Sequence, residues 1–322
     1  MPIIKSDFFP PLHFRNAHMS TIYRPLFMKV KHQYKRVRVD TWDGDFIDLD
    51  FSKVGSSVLV LLIHGLEGSS ASKYMLSASK ELNAAGYDAV CFNLRGCSGE
   101  DNRLLSTYHS GKTDDVDFIV SYISKNYSYD KIFMVGYSLG GNLTLKYLGE
   151  YAYQISDKII GGVAVSVPIH LESSSRQMAL LKNKIYMEEF LKTLRLKVLK
   201  KAHNFPAYQL DKDRLFKAKN FKDFDELYTA PVFGFDHPED YWEKASSKPY
   251  ISKIQKPAYL ISSLDDPFLS PECYPFEEAK SMDNFYLLAT KYGGHVGFTA
   301  GFKQQDNCWL DQKIIRFLED CL

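Results

Sequence analysis

Six consecutive apolar residues, Val58 to Ile63, stand out from a chain in which apolar and polar positions otherwise alternate or recur with a helical period. A run without a polar face fits a strand buried on both sides, as in a parallel sheet sandwiched between helices. Ahead of it, Val37 and Val39 alternate with Arg36, Arg38 and Asp40, Asp43-Gly44 supplies turn residues, and Phe46, Leu49 and Phe51 follow. That pattern predicts a hairpin at the edge of a sheet. Behind it, the two periods take turns. Residues 72–85 read as a helix ended by Gly86, Asp88 to Asn93 as a strand, and Thr113 as the cap of a helix that carries Val116, Ile119, Val120 and Ile123 on one face. Lys131 to Val135 then reads as a strand, Leu139 to Tyr151 as a helix and Ile159 to Val167 as a strand; Pro257 to Ser262 and Phe285 to Ala289 give two more strands, and Trp309 to Leu318 a closing helix. Strands alternating with helices predict an α/β fold: a mostly parallel sheet, made mixed by the leading hairpin, with helices on both faces.

Two stretches break the alternation. Residues 1–35 are rich in Pro, His and aromatics, have no clean period, and read as an arm packed over the body. Residues 168–250 read as a helical insertion, a lid, with Met187, Leu191, Leu194 and Val198 at helical spacing. Lys182, Lys184, Lys192, Arg195, Lys197, Lys200 and Lys201 interleave them. The pattern fits a solvated face on amphipathic helices; the alternative is a basic lid in peripheral contact with an anionic lipid surface. The expected organisation is a single domain over residues 1–322 with this insertion.

Composition narrows the function. A chain of 322 residues, 45% apolar, can bury one large core. Its net charge of +1 gives no bulk field to select nucleic acid. Five cysteines (Cys91, Cys97, Cys273, Cys308, Cys321) form no CxxC pair, so neither a zinc knuckle nor a disulfide framework is expected, and a reducing, cytoplasmic setting is. Met1 to Pro11 lacks the basic start and apolar core of a signal peptide. The longest apolar run falls far short of the ~20 residues of a membrane helix. No His/Cys/Asp cluster has metal-ligand spacing, and Gly161-Gly162 opens no dinucleotide fingerprint.

The chemistry concentrates where a predicted strand meets a predicted helix. Gly136-Tyr137-Ser138-Leu139-Gly140 has the Gly-x-Ser-x-Gly form of a nucleophile elbow, in which a strained turn projects the serine hydroxyl. A side chain at position 136 or 140 would collide with the neighbouring strand or helix. A serine nucleophile needs a general base and an orienting carboxylate, and in this kind of fold they follow in the order Ser, acid, His. Of the later histidines, His170, His203 and His237 fall in or beside the insertion; His295 alone follows the last strand, in Gly293-Gly294-His295-Val296-Gly297. The acid is expected after the preceding strand, at Asp265-Asp266-Pro267; the proline fixes its neighbour in an extended conformation and favours Asp266, leaving Asp265 to hold the loop. Two backbone N–H groups, of Leu139 after the nucleophile and of Leu66 in His64-Gly65-Leu66, are the expected oxyanion donors. Other reactive groups read as structural: His64 as a loop tie, His109 as a cap, Asp114-Asp115 as acids at a helix N-terminus, and Cys97 as a bystander.

Taken together, the chain resembles the YheT-like group of α/β hydrolases, which includes bacterial YheT-type hydrolases and eukaryotic medium-chain esterase and phospholipase relatives. The resemblance rests on Arg15-Asn16-Ala17-His18-Met19-Ser20-Thr21, His64-Gly65-Leu66-Glu67-Gly68, Asn93-Leu94-Arg95-Gly96-Cys97-Ser98-Gly99, Tyr108-His109-Ser110-Gly111, the stretch around Ser138, Asp265-Asp266-Pro267-Phe268, and Gly294-His295-Val296-Gly297-Phe298. It implies carboxylester hydrolysis by Ser138, Asp266 and His295 without a cofactor. The expected function is therefore a serine carboxylesterase acting on short- or medium-chain acyl esters. An acyltransferase or a lipid hydrolase using the same residues is the alternative, and a non-catalytic binding module a third. Oligomeric state is left open by the sequence.

Overall fold

The computed structural model describes residues 2–303 and 307–322. Eight strands form one sheet: β1 (Lys35–Asp40), β2 (Phe46–Ser52), β3 (Val58–Ile63), β4 (Asp88–Asn93), β5 (Lys131–Tyr137), β6 (Ile159–Val165), β7 (Ala258–Ser263) and β8 (Phe285–Thr290). Their spatial order is β1-β2-β4-β3-β5-β6-β7-β8. The β1–β2 hairpin and the β2–β4 pair are antiparallel, and every later pairing is parallel. The hairpin thus sits at the sheet edge, as its alternation predicts. Its polar face is closed by cross-strand forks: Arg36 lies opposite Asp50 and Arg38 opposite Asp48, each guanidinium donating two hydrogen bonds of 2.8–2.9 Å.

The helices, in chain order, are α1 (Ala17–Phe27), α2 (Lys73–Ala84), α3 (Thr113–Asn126), α4 (Leu139–Glu150), α5 (Leu171–Met178), α6 (Lys184–Asn204), α7 (Lys212–Lys217), α8 (Phe221–Phe224), α9 (Ala230–Phe233), α10 (Pro238–Ala245), α11 (Phe276–Ser281) and α12 (Trp309–Cys321). The apolar run of β3 divides between two cores. Leu59, Leu61 and Ile63 pack with α3 and α4, whereas Val60 and Leu62 pack with α2 and α12. Both faces of the sheet are covered, and a strand without a polar face is the result. Helices α5 to α10 lie between β6 and β7, where the insertion is expected. Met187, Leu191, Leu194 and Val198 are buried in a cluster of their own with Leu215, Phe224, Tyr228 and Phe268.

The structure departs from the sequence reading in the arm and at the ends of two elements. The arm contains a helix, α1, whose start is capped by the Asn16 side chain accepting the Met19 N–H at 3.0 Å. Thr113 does not cap α3: Lys112 holds the cap position, and the Thr113 hydroxyl reaches across to Glu150 near the end of α4. Strand β6 ends at Val165 because Ser166 turns to φ 52°.

Asp115 serves more than the dipole of α3. It takes a two-pronged bond from Arg95 at 2.8 and 2.6 Å, and the same buried guanidinium reaches Asp43 at 2.7 Å and Asp45 at 3.3 Å. One cation after β4 therefore fastens the β1–β2 turn to the start of α3. Removing it would leave buried carboxylates unpaired. Arg95→Met is expected to cost about 3–5 kcal/mol of stability, read in urea as a lower midpoint with an unchanged slope.

Candidate active site

The side chains singled out in the sequence lie at the carboxyl ends of β3, β5, β7 and β8. The sheet is built outward from β3, with β4 added on one side and β5 on the other. A crevice opens at such a switch point, and ligands of open α/β sheets bind there.

Ser138 joins β5 to α4 at φ 52°, ψ −118°. A non-glycine residue in that region costs about 1–3 kcal/mol and persists only where its surroundings enforce it. The enforcement is steric. A Cβ on Gly136 would stand 2.1 Å from the Gly140 carbonyl oxygen, and one on Gly140 would stand 2.2 Å from that of Ile63. Only bare backbone lets α4 come this close to β5 and β3. The Ser138 N–H donates to Val165 on β6 at 2.8 Å.

His295 Nε2 lies 2.9 Å from the Ser138 hydroxyl, and His295 Nδ1 lies 2.9 Å from Asp266 Oδ2. A carboxylate only accepts, so Nδ1 carries the proton and Nε2 is left to accept from Ser138. The two aspartates divide their work. Asp266 is buried, and its Oδ1 accepts the Phe268 N–H at 2.9 Å, which leaves Oδ2 aimed at the ring. Asp265 Oδ1 accepts the Gly294 N–H at 2.9 Å and so holds the histidine loop; burial raises the pKa of this carboxyl. The Phe268 ring covers the imidazole, with centroids 4.3 Å apart.

Leu139 is the first residue of α4, so no carbonyl within the helix accepts its N–H. Leu66 sits in the turn Gly65–Gly68, closed by a 3.0 Å bond from the Gly68 N–H to the Gly65 carbonyl, with Glu67 at φ 53°. Both leucines line the cavity that contains Ser138 and His295. The cavity measures ≈ 140 Å³; its walls include Met178, Phe190, Leu194, Phe224 and Phe268, most of them from the insertion.

Of the other histidines, only His109 among the described residues lines this cavity. His64 is buried; its Nδ1 donates to the Gly65 carbonyl at 2.7 Å and its Nε2 accepts the Leu94 N–H at 3.0 Å, tying the loop after β3 to that after β4. Burial pushes its pKa down to about 4, so it is neutral. His170 and His237 cap α5 and α10, and His203 lies in the last turn of α6. His109 accepts the Gly111 N–H at 3.1 Å just before α3, and also lines the cavity. Cys97 is a neutral thiol, since burial raises its pKa to about 11.

Two residues that the sequence reading left unassigned support the site. Thr21 Oγ1 accepts the His295 N–H at 2.9 Å, and Ser20 Oγ donates to the Gly293 carbonyl at 2.8 Å. Both lie on α1. Close approach is again required, because a Cβ on Gly297 would meet the Ser20 carbonyl oxygen at 2.3 Å. The available signal was Asn16, a capping residue opening the motif that contains both.

Comparison with known proteins places this geometry. The α/β hydrolase fold family matches residues 58–298. The YheT protein from Escherichia coli is 31% identical over 315 residues, 96% of this chain and 92% of its own. This chain belongs to the YheT-like α/β hydrolases. Phospholipase ABHD3 from Homo sapiens is 29% identical over 329 residues, covering 99% of this chain and 80% of its own. Among solved structures, an esterase from Pyrococcus furiosus shares the fold with a TM-score of 0.61, at 21% identity over 89% of this chain and 91% of that one. For this YheT-like hydrolase the relatives support activity of the esterase, lipase and phospholipase type. Among the described residues, no helix is long and apolar enough to cross a membrane.

Because α1 holds the backbone on either side of the imidazole, Thr21→Val should displace the ring rather than unfold the sheet. The expected result is a fall of about 10–100-fold in kcat for a soluble ester, with KM and the melting temperature little changed.

Proposed function

We propose that this YheT-like hydrolase is a serine carboxylesterase that cleaves short- or medium-chain acyl esters through an acyl-enzyme. The observation that carries the reading is the continuous chain from Ser138 Oγ through His295 to Asp266, with two links of 2.9 Å, opening into the cavity. Ser138 attacks the ester carbonyl while His295 Nε2 takes its proton. Asp266 stabilises the imidazolium and keeps the ring in register. The imidazolium returns the proton to the departing alcohol, and water, activated in the same way, releases the acid. The N–H groups of Leu66 and Leu139 receive the charge that develops on the carbonyl oxygen. The cavity, walled largely by apolar side chains of the insertion, supports a short or medium acyl group.

The insertion also reaches the oxyanion loop. Lys197 Nζ on α6 bonds Glu67 Oε1 at 2.6 Å. The Tyr108 hydroxyl donates to the same oxygen at 2.7 Å and accepts the Glu67 N–H at 2.8 Å. Three bonds thus hold a residue with positive φ next to Leu66, and both charges are largely buried. In this reading Lys197 is a positioning residue for the Leu66 N–H.

Ser138→Ala should lower turnover of a nitrophenyl ester by at least about 10⁴-fold while leaving the circular dichroism spectrum unchanged. Undiminished hydrolysis, or a fluorophosphonate probe that labels the variant as well as the parent, sinks the serine assignment. Lys197→Met should lower kcat by about 10–100-fold with KM nearly constant, and Lys197→Arg should recover part of the loss. An equal loss in both variants that appears in KM alone would contradict the positioning role.

A further inference from the structure

The cavity wall contains a carboxyl that has no part in the hydrolytic steps. Asp225 opens the π turn Asp225–Thr229, between α8 and α9, and its side chain is buried while lining the same cavity as Ser138. Turns of this type recur at ligand sites. Its Oδ1 accepts from the Thr229 hydroxyl at 2.6 Å and its Oδ2 from the Trp242 indole N–H at 2.9 Å. Both donors are neutral. Among the described residues no Lys, Arg or His forms an ion pair with it; unlike buried Asp88, which also has none but collects three backbone N–H groups and the Tyr129 hydroxyl, Asp225 has only these two donors and faces the cavity. The cation closest in kind, Lys197 on the same cavity wall, is committed to Glu67 at 2.6 Å. His109 is held neutral, its pKa pushed down to about 3 by burial.

A buried carboxylate without a counter-ion is expensive to maintain. Desolvation accordingly pushes Asp225 up to about 7. Each of its oxygens retains a lone pair after the two bonds above. Its surroundings in the cavity are aromatic: Phe224 and Tyr228, with centroids 5.9 Å apart, come from the same helical stretch, and Tyr241 and Trp242 from α10. The charge of Asp225 also reaches Tyr241, where it adds to burial in raising the phenol pKa. A carboxylate lacking a cation, set among aromatic side chains and shielded from water, has the chemistry that receives an alkylated ammonium: aromatic rings attract a cation and the carboxylate neutralises it.

We propose that Asp225, with Phe224, Tyr228, Tyr241 and Trp242, forms a subsite for an organic ammonium group, so that esters carrying a cationic nitrogen are preferred substrates. The inference rests on the esterase reading and assigns the substrate class of that site. The subsite is made entirely by the insertion, whereas the nucleophile, base and acid are carried by the loops after the sheet strands. Selection and chemistry are therefore physically separate parts of one cavity.

The test compares butyrylcholine with its carbon isostere, in which a tert-butyl group replaces the trimethylammonium. Shape and acyl group are then constant and only the charge differs. Wild-type protein is expected to show kcat/KM at least about tenfold higher for the cationic ester. Tetramethylammonium should inhibit hydrolysis of the neutral ester competitively. In Asp225→Asn, an isostere whose oxygen can still accept from Trp242, the preference should fall to near unity because kcat/KM for the cationic ester drops at least about tenfold further than that for the neutral one. If neither ester is cleaved, the esterase reading fails first. If the neutral ester is cleaved as fast as the cationic one by wild-type protein, the ammonium subsite alone is overturned. Equal slowing of both esters in Asp225→Asn also overturns it and reduces Asp225 to a tie between the π turn and α10. Should that variant not fold, the wild-type preference and the tetramethylammonium inhibition still decide the question.

Discussion

The contact on which the rest of the structure depends is backbone against backbone at Gly136 and Gly140. At these two positions β5, α4 and the end of β3 approach so closely that a single methyl group would stand little more than 2 Å from a carbonyl oxygen. The approach holds Ser138 at positive φ. It also brings the start of α4 against the end of β3 and the loop after it, so that Leu139 and Leu66 line the same cavity. A looser turn would relieve Ser138 and separate all three. The local strain is therefore a geometric requirement, maintained by a sheet whose central strands are buried on both faces.

The histidine loop obeys the same logic by different means. Gly294, Val296 and Phe298 all have positive φ, and no regular element carries His295. Its conformation is borrowed from neighbours: Asp265 and Ser263 hold Gly294, Ser166 accepts the Val296 N–H, and Ser20 and Thr21 on α1 hold the remainder. The segment before the sheet is thus a wall of the site as well as a covering. A loop tied at so many points presents the imidazole to its two partners, Ser138 and Asp266, with little conformational freedom.

These two regions differ in how far they can be read from the chain. The sheet was legible because burial on both faces leaves an unmistakable apolar run, and the hairpin because alternation marks an edge. Chain order and the requirement for an acid and a base were enough to point to Ser138, Asp266 and His295, which the structure brings within hydrogen-bonding distance. The role of α1 was not legible. Its contribution to the site is made by two hydroxyls, Ser20 and Thr21, bonding to backbone 274 or so residues away, and hydroxyls of that kind have no periodic signature. Thr113 misled for a related reason: a threonine at a helix start reads as a cap, but its hydroxyl found a better acceptor in Glu150.

The insertion is where pattern and structure diverge most, and the divergence is informative. Its interleaved lysines look like the wet face of a helix. Yet Lys197 is buried against Glu67, Lys201 is buried and donates to the carbonyls of Asn102 and Leu104, and Lys200 pairs with Asp101. The partners all belong to the loops after β3 and β4. Charge on α6 is therefore spent on docking the insertion to the catalytic body, and burial lowers the Lys201 ammonium to about 8. A helix docked through apolar contacts alone could slide. One docked through buried ammonium groups on fixed carbonyls and a fixed carboxylate is held in register. Register matters here because the same insertion supplies most of the cavity wall: a shift of α6 would move Lys197 away from Glu67 in the loop after β3 and Leu194 and Val198 across the cavity in a single step.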